Sequence, residues 1–257
     1  MSPVPTVLVH RDAELVAHAA AARLVTRLVN SQAARGTAAV VLTGGGIGTQ
    51  TLEALDTSPA RDAIDWGRLD VYWGDERFVP ADDGERNERQ ARAALLDHND
   101  LDPARVFPMD PSDGPGGDDP DAAAGRYAEL LASRSRPEDY GPVPRFDVLM
   151  LGIGPEGHTA SIFPDSPAAQ DVGTVVAVRD CPKPPPTRIS LTFRSLQTAE
   201  DVWVLVTGED KADAVARALG GASQVQVPAA GAVGRTRTLW MLDEAAASQL
   251  PPELRRR

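Results

Sequence analysis

Short apolar runs alternate along the chain with longer segments in which apolar residues recur every three or four positions. The run at 7–9 is followed by such a segment from Asp12 to Leu28, and Asp12 suits the N-cap of a helix. Strands that are apolar on both faces and alternate with helices form parallel sheets covered on both sides, so we expect a three-layer α/β domain. Further strands are predicted at 38–42, 69–73, 146–151, 202–206 and 239–242, and further helices at 49–55, 86–96 and 210–219.

Two segments depart from this alternation. Residues 110–121 are rich in Gly, Pro and Asp without periodicity, which predicts a flexible surface loop. Residues 175–178 and 189–193 flank a proline run and predict two strands that can pair antiparallel. Neither segment is long enough for a separate domain. We therefore expect one domain over residues 1–257, with 246–257 as a C-terminal tail.

Composition narrows the classes of function. The 37 acidic residues outnumber the 26 basic ones, and the net charge of −11 argues against a nucleic-acid or anionic-membrane surface. The single cysteine, Cys181, excludes an intramolecular disulfide and is expected to be a packing residue. No apolar run approaches the roughly 18 residues of a membrane helix, and the N-terminus does not resemble a secretory signal. We expect a cytoplasmic protein.

Candidate chemistry is concentrated in four loops that follow predicted strands. In an open parallel sheet, ligands bind outside the carboxyl ends of the strands, where helix N-termini attract anions. The presence of four such loops at one edge is stronger evidence for a ligand site than any single loop. The loops are Thr43–Gly48, Gly74–Arg77, Gly152–Ser161 and Gly208–Lys211.

The first loop contains Gly44, Gly45 and Gly46, whose backbone amides can approach an anion because glycine has no Cβ. It lacks the GxxxxGK[ST] pattern of a nucleotide P-loop and the GxGxxG spacing of a dinucleotide site. A tight turn without a ligand is the alternative interpretation. Cationic residues on the other loops favour the anion site.

The third loop contains His158 beside Glu156 and a flexible glycine, at a point where we expect a strand to turn into a helix. A histidine with a nearby carboxylate can move a proton near neutral pH. A histidine that fills a polar gap is the alternative.

On the second loop, Asp75 can orient His158 and Arg77 can bind an oxyanion, unless these residues form a solvated turn.

Two further cations are candidates for binding an anionic substrate. Lys211 begins a predicted helix, where a phosphate shared with the helix N-terminus would explain a basic residue. Arg188 follows a proline run, which is either a rigid loop or a polyproline ligand. The sequence contains no HxH, HExxH or calcium-type spacing, so we expect no metal site.

Five stretches carry these candidate residues: LTGGGIGTQTLEAL, VYWGDERFVP with a following asparagine at Asn87, FDVLMLGIGPEGHTASIFPDSP, PPPTRISLT and VLVTGEDKADAV. Together they resemble the 6-phosphogluconolactonase family, from about Val7 to Leu242. The resemblance implies the Rossmann-like three-layer fold shared with glucosamine-6-phosphate deaminases and ribose-5-phosphate isomerase. It also implies hydrolysis of 6-phospho-D-glucono-1,5-lactone, the second step of the oxidative pentose phosphate pathway, without metal or organic cofactor.

The resemblance assigns a role to each candidate residue. His158 is implied as the general base, with Asp75 and Glu156 orienting it and Arg77 or loop amides stabilising an oxyanion. The implied substrate- and phosphate-binding residues are Gly44, Gly45, Gly46, Asn87, Arg188 and Lys211.

Two positions depart from the family pattern. Glu156 stands where the family usually has an aspartate, and Gly46-Ile47-Gly48 replaces a serine that is commonly followed by Thr-Pro. The first change lengthens the carboxylate beside His158 by one methylene. The second removes a hydroxyl from the phosphate cradle, which leaves backbone amides and cations to bind the phosphate.

Two other functions remain open. An amino-sugar-phosphate isomerase or deaminase of this kind carries a glutamate five residues after the histidine, where this chain has Phe163. A non-catalytic sugar-phosphate sensor normally adds a helix-turn-helix domain, for which this chain has neither the length nor the basic surface. The expected partner is a phosphorylated sugar lactone, and the expected state is a monomer, with weak homo-oligomerisation as the alternative.

Overall fold

The computed structural model describes residues 4–255, and its central feature is a sheet of seven parallel strands in the order β1-β10-β9-β6-β2-β3-β5. A second sheet of three antiparallel strands has the order β4-β8-β7. The strands are β1 Thr6–His10, β2 Ala38–Leu42, β3 Leu69–Trp73, β4 Asp75–Arg77, β5 Val106–Phe107, β6 Val148–Leu151, β7 Val175–Val178, β8 Arg188–Leu191, β9 Asp201–Val206 and β10 Arg237–Asp243.

Six α-helices connect and cover these strands in the described part of the chain. They are α1 Ala13–Arg35, α2 Gly46–Asp56, α3 Asn87–Ala94, α4 Pro120–Arg134, α5 Phe193–Leu196 and α6 Ala212–Leu219. Short 3₁₀ turns lie at Arg61–Ala63, Trp66–Arg68, Leu96–His98, Pro103–Arg105, Pro167–Gln170, Glu209–Lys211, Pro228–Gly231 and Pro252–Leu254. Asp12 caps α1 as predicted, accepting a hydrogen bond from the Leu15 amide at 2.9 Å. None of the described helices combines the length and apolar character needed to cross a bilayer.

Side chains of the central strands alternate between two hydrophobic cores. In β6, Val148 and Met150 pack with α1, α2 and α3, whereas Leu149 and Leu151 pack with α4, α6 and the small sheet. The same period of two in β2 and β9 buries both faces of the sheet. The predicted three-layer α/β architecture is confirmed.

The small sheet contains the largest difference from the predicted elements. The charged residues 75–77 were predicted as a loop, but they form β4, which pairs antiparallel with β8. The predicted strands on either side of the proline run do pair antiparallel, as β7 and β8. The β4–β8 register places Arg77 opposite Arg188, so the two predicted cations become cross-strand neighbours.

Two terminal and loop predictions can be compared in part. The predicted loop 110–121 is irregular up to Asp119, which caps α4, so its last two residues are helical. Within the predicted tail 246–257, Ala246, Ala247 and Leu250 are buried against the core. Residues 1–3 and 256–257, at the ends of the predicted domain and tail, lie outside the described residues. The flexibility of the loop and the single-domain organisation stay predictions.

Candidate active site

The four candidate loops follow four adjacent strands, because β9, β6, β2 and β3 are consecutive in the sheet. Parallel strands end at the same edge, so the loops converge there on one cavity of about 240 Å³. The side chains around it are polar on most sides, with Ile47, Ile153, Ala160 and Leu205 as apolar contributions.

Nine of the ten residues singled out from the sequence line this cavity. They are Gly44, Gly45, Gly46, Asp75, Arg77, Asn87, His158, Arg188 and Lys211. Glu156, the tenth, contacts His158 from outside the cavity lining. The geometry thus brings the predicted residues together, and their individual roles stay predictions.

The glycine loop passes directly into helix α2. The helix begins at Gly46, three residues before the predicted start at Thr49, and Gly45 adopts a left-handed backbone with φ of 82°. Because the N-cap is a glycine, no cap side chain accepts from the first-turn amides, which leaves them free to donate to an anion. A Cβ at Gly48 would lie 2.6 Å from the Thr43 carbonyl oxygen, so the close packing of this turn requires glycine.

Asn87 lines the cavity directly beside Gly44 of the glycine loop. Its Nδ2 donates to the Asp75 carbonyl oxygen at 2.9 Å, while its buried Oδ1 has no partner among the described residues. A Cβ on Gly44 would come within 1.8 Å of that Oδ1. The absence of a side chain at Gly44 therefore leaves the asparagine amide in place, with a free acceptor for a donor group.

His158 is held by a carboxylate that is itself held by a lysine. Its Nδ1 lies 2.9 Å from Oε1 of Glu156, and Oε2 of Glu156 lies 3.1 Å from Nζ of Lys183. Burial favours the neutral carboxyl, but hydrogen bonds from His158, from the backbone amide of Glu156 itself and from Lys183 outweigh it and lower the pKa of Glu156 to about 2. Glu156 is accordingly anionic at neutral pH.

The backbone around His158 differs from the predicted one. No helix begins at this strand end: the chain makes a turn in which the Gly154 amide donates to the His158 carbonyl at 3.0 Å. Gly157 takes a φ of 97° within that turn. The ring of Phe163 packs on the imidazole with centroids 4.5 Å apart. A tight turn and an aromatic face, rather than a helix N-terminus, therefore fix the imidazole.

The carboxylate of Asp75 is bound by a serine hydroxyl. This carboxylate accepts a hydrogen bond from Oγ of Ser161 at 2.6 Å, and in residues 4–255 no hydrogen bond joins it to His158. Glu156 makes the hydrogen bond to Nδ1 of His158, and a role of Asp75 in orienting or charge-balancing the imidazole stays a prediction. Asp75 still lines the cavity as a buried acid.

The three predicted cations approach the cavity with different partners. Arg188 is buried and donates to the carbonyls of Lys183, Pro184 and Pro185 at 3.2–3.4 Å. The ammonium of Lys211 contacts the Asp210 carboxylate and the Thr207 carbonyl at 3.0–3.1 Å.

The guanidinium of Arg77 has a partner at Nη1 but not at Nε among the described residues. Its Nη1 donates to the Glu85 carbonyl at 2.5 Å, and its Nε is buried without a partner among the described residues. An unsatisfied buried donor is costly, so this Nε is available to an acceptor in the cavity.

The sequence analysis missed three contributors: Lys183, Ser161 and the stacking of Phe163. Lys183 is one of two lysines in the chain and precedes the proline run, which was the available signal. Within residues 4–255, no three His, Cys, Asp or Glu side chains converge so that they could hold a metal ion.

Comparison with known proteins gives consistent matches over almost the whole chain. Residues 11–240 match the family model described as glucosamine-6-phosphate isomerases/6-phosphogluconolactonase. The chain is 59% identical to 6-phosphogluconolactonase of Streptomyces coelicolor, covering 99% of this chain and 98% of that protein. It is 53% identical to the Mycobacterium tuberculosis 6-phosphogluconolactonase, with coverages of 93% and 96%.

The fold is likewise similar to a solved structure. The 6-phosphogluconolactonase from Trypanosoma brucei superposes with a TM-score of 0.82 at 30% identity. The superposition covers 98% of this chain and all of the other. Sequence and fold thus agree on the same group of proteins.

Proposed function

The chain belongs to the glucosamine-6-phosphate isomerase/6-phosphogluconolactonase family, and we propose that it hydrolyses 6-phospho-D-glucono-1,5-lactone to 6-phospho-D-gluconate. The observation that carries this proposal is the cavity itself. It combines one imidazole, held by a carboxylate, with three cationic side chains and the open N-terminus of α2. A proton acceptor and an anion site within one small cavity suit a phosphorylated ester.

His158 acts as general base in the proposed reaction. The Glu156 carboxylate can only accept, so Nδ1–H of His158 donates a hydrogen bond to it, and Nε2 is left as the nitrogen that can accept a proton. Nε2 takes a proton from a water molecule as the water oxygen attacks C1 of the lactone. The tetrahedral intermediate collapses by breaking the bond from C1 to the ring oxygen, and the imidazolium returns the proton to that oxygen.

Charge in the intermediate and in the substrate is stabilised by different groups. The oxyanion at C1 is stabilised by Arg77 or by amides of the glycine loop. The 6-phosphate is bound by Arg188 and Lys211 together with the amides of Gly44 and Gly45, which places C1 near His158. Gly46 and Asn87 complete the substrate contacts. The lactone is already an activated ester, so the proposed mechanism requires no metal or organic cofactor.

The deaminase or isomerase alternative is disfavoured at one position. Phe163, five residues after His158, is buried with its ring against the imidazole. An apolar ring there cannot assist the opening of an amino sugar, as a carboxylate could. Ammonia release from glucosamine 6-phosphate is therefore expected to be absent.

A pH-stat assay tests the proposed function. Freshly prepared 6-phospho-D-glucono-1,5-lactone releases acid on hydrolysis, and we expect the protein to accelerate this release well above spontaneous opening. Glucosamine 6-phosphate serves as the control substrate, with ammonia as the measured product. Acid release at the spontaneous rate, together with measurable binding of the lactone, would instead support a sugar-phosphate sensor.

The expected cellular context belongs to the same proposal. We propose a cytoplasmic monomer that binds a small phosphorylated lactone and neither nucleic acid nor membrane, in keeping with a net charge of −11 and one buried cysteine. Sedimentation at a mass of 27.2 kDa is the expected result, and a stable dimer would contradict it.

A further inference from the structure

We propose that Lys183 is a positioning residue for the hydrolysis, a role that rests on the proposed function of His158. The Lys183 ammonium group fixes the Glu156 carboxylate, and that carboxylate in turn holds the imidazole with its proton on Nδ1. Lys183 acts through Glu156 and does not touch the substrate.

The two carboxylate oxygens of Glu156 have separate partners. Oε1 faces Nδ1 of His158 at 2.9 Å, and Oε2 faces Nζ of Lys183 at 3.1 Å. A rotation of the carboxylate would break both contacts at once, so the lysine restricts the orientation of the acid. Charge-assisted hydrogen bonds of this kind are shorter and stronger than neutral ones.

The segment that carries Lys183 is anchored from the cavity side. Arg188 donates from Nη2 to the carbonyl of Lys183 at 3.2 Å and from Nε to that of Pro185 at 3.2 Å. The Cys181 amide donates to the Pro186 carbonyl at 3.0 Å, which closes the loop. Arg188 is itself buried in strand β8. The backbone from which Lys183 extends is therefore fixed relative to the small sheet.

Apart from Lys183, the groups around His158 and Glu156 restrict the movement of the imidazole more than that of the carboxylate. A Cβ at Gly154 would lie 2.1 Å from Nδ1 of His158 and 2.7 Å from Oε2 of Glu156, so this glycine adjoins both groups, whereas Phe163 packs on the imidazole ring. The Glu156 side chain, by contrast, is 31% exposed. Lys183 supplies a contact from a separate loop that restrains this exposed acid. Glu156 is one methylene longer than the usual aspartate of the family, which increases the need for such a restraint.

Loss of the lysine has a specific chemical consequence. An imidazole whose Nδ1 faces a fixed carboxylate carries its proton there, and a carboxylate that can rotate away permits the other tautomer. The Nε2–H tautomer cannot accept a proton from water. The population of active tautomer, and hence kcat, should fall without any change in the groups that bind the substrate.

Two substitutions test this role. Lys183→Met removes the ammonium but keeps a similar side-chain length, and Lys183→Arg restores the charge. Because the lysine is 43% exposed, we expect kcat of Lys183→Met to fall by about two- to fivefold with KM unchanged, and Lys183→Arg to recover most of it. Arg179→Met is the matched control, since this exposed cation pairs with Asp121 and not with Glu156.

A spectroscopic readout separates this proposal from the proposed function. Long-range ¹⁵N–¹H spectra of the histidine side chains report the tautomer of His158, with its signals assigned by their loss in His158→Gln. We expect the Nδ1–H form in the wild type and in Arg179→Met, and an increased Nε2–H fraction in Lys183→Met. A wild type inactive on the lactone would refute the proposed function, whereas these spectra would still decide the role of Lys183.

Two results would overturn the positioning role. An increase in KM at unchanged kcat would make Lys183 a substrate ligand. Unchanged kcat and an unchanged tautomer in Lys183→Met would show that the contact with Glu156 has no effect on the imidazole.

Discussion

The fold shifts the pKa values of two glutamates near the cavity, Glu156 and Glu76, in opposite directions. Contacts from His158, the backbone amide of Glu156 and Lys183 overcome the burial of the Glu156 carboxyl and lower its pKa to about 2. Burial dominates at Glu76 and raises its pKa to about 7, although Arg86 and three backbone amides favour its charge. Relative to the unfolded chain, the folded chain therefore binds a proton more weakly at Glu156 and more tightly at Glu76. Their contributions to stability change with pH in opposite directions.

Glu156 should contribute to stability at neutral pH and lose that contribution in acid. Between pH 4.5 and about 2 the unfolded chain takes up a proton at this carboxyl before the folded chain does, so stability falls as the pH is lowered. We expect Glu156→Gln to show a shallower decrease in the free energy of unfolding over this range, measured by urea unfolding. Glu129→Gln, at an exposed position of α4, should follow the wild type. Parallel curves for Glu156→Gln and wild type would contradict the assigned charge.

Gly44 and Gly46 provide a matched pair for testing the glycine loop. A Cβ at Gly44 would overlap Oδ1 of Asn87, whereas a Cβ at Gly46 would meet nothing within 4 Å. We expect Gly44→Ala to displace the Asn87 amide and lower kcat/KM by about 10–100-fold. Gly46→Ala keeps its backbone amide and its new Cβ meets no protein atom within 4 Å, so it should lose much less activity than Gly44→Ala. Equal losses of kcat/KM in both variants would show that activity does not depend on the room that Gly44 leaves for the Asn87 amide.

Sequence reasoning succeeded for neighbours in the chain and failed for contacts made by distant loops. Glu156 and His158 are two residues apart, so their contact could be predicted from spacing. Lys183 reaches Glu156 across 27 residues, and Ser161 reaches Asp75 across 86. Those contacts depend on the β4–β8 pairing, which hydrophobic periodicity does not show.

Among the elements, strand β4 and helix α3 are joined by Glu76. Its Oε1 accepts from the amides of Arg77 and Asn87 at 2.8 and 2.6 Å, and its Oε2 accepts from the Glu88 amide at 2.8 Å. The carboxylate thus caps the N-terminus of α3, for which Arg86 as N-cap provides no side-chain hydrogen bond. This cap sets the position of Asn87, and with it one wall of the cavity.

Removing one acceptor of this cap should destabilise the fold. Glu76→Gln replaces one oxygen by an NH₂ group that faces the Glu88 amide or the other capped amides, leaving buried donors unpaired. We expect a loss of about 1–3 kcal/mol in the free energy of unfolding, measured in urea at pH 8. Glu85→Gln, whose exposed side chain lies two residues before α3, is the control and should be neutral. An unchanged stability of Glu76→Gln would contradict the capping role.

The prediction of secondary structure failed where polar residues are buried with hydrogen-bond partners. The sequence Asp75-Glu76-Arg77 resembles a solvated turn, but both acids are buried because a serine hydroxyl and backbone amides satisfy them. The start of helix α2 was predicted too late because glycines, which are poor helix formers, occupy its first turn. The hydrophobic strands β2 and β3, by contrast, have the predicted bounds, since burial on both faces leaves a clear apolar run.

Across the whole molecule, the net charge opposes the binding of an anionic substrate. At −11, the protein as a whole repels a phosphate ester, so any attraction is local to Arg77, Arg188 and Lys211 at the edge of the sheet. Salt screens local attraction between partly exposed charges. The KM for the lactone should therefore depend on ionic strength.

The contribution of Lys211 can be measured through that dependence. We expect Lys211→Ala to raise KM about tenfold with little change in kcat, and to reduce the increase of KM with salt. Arg217→Ala, on the exposed side of α6, is the control and should behave as the wild type. A loss confined to kcat would contradict phosphate binding by Lys211.

The measurement that tests catalysis at this cavity most directly is the steady-state hydrolysis of 6-phospho-D-glucono-1,5-lactone by His158→Gln. Glutamine keeps a polar side chain but cannot act as the base. We predict that kcat falls about 10²–10⁴-fold while KM stays within about twofold of the wild type. A kcat equal to that of the wild type would show that His158 is not the group that activates water.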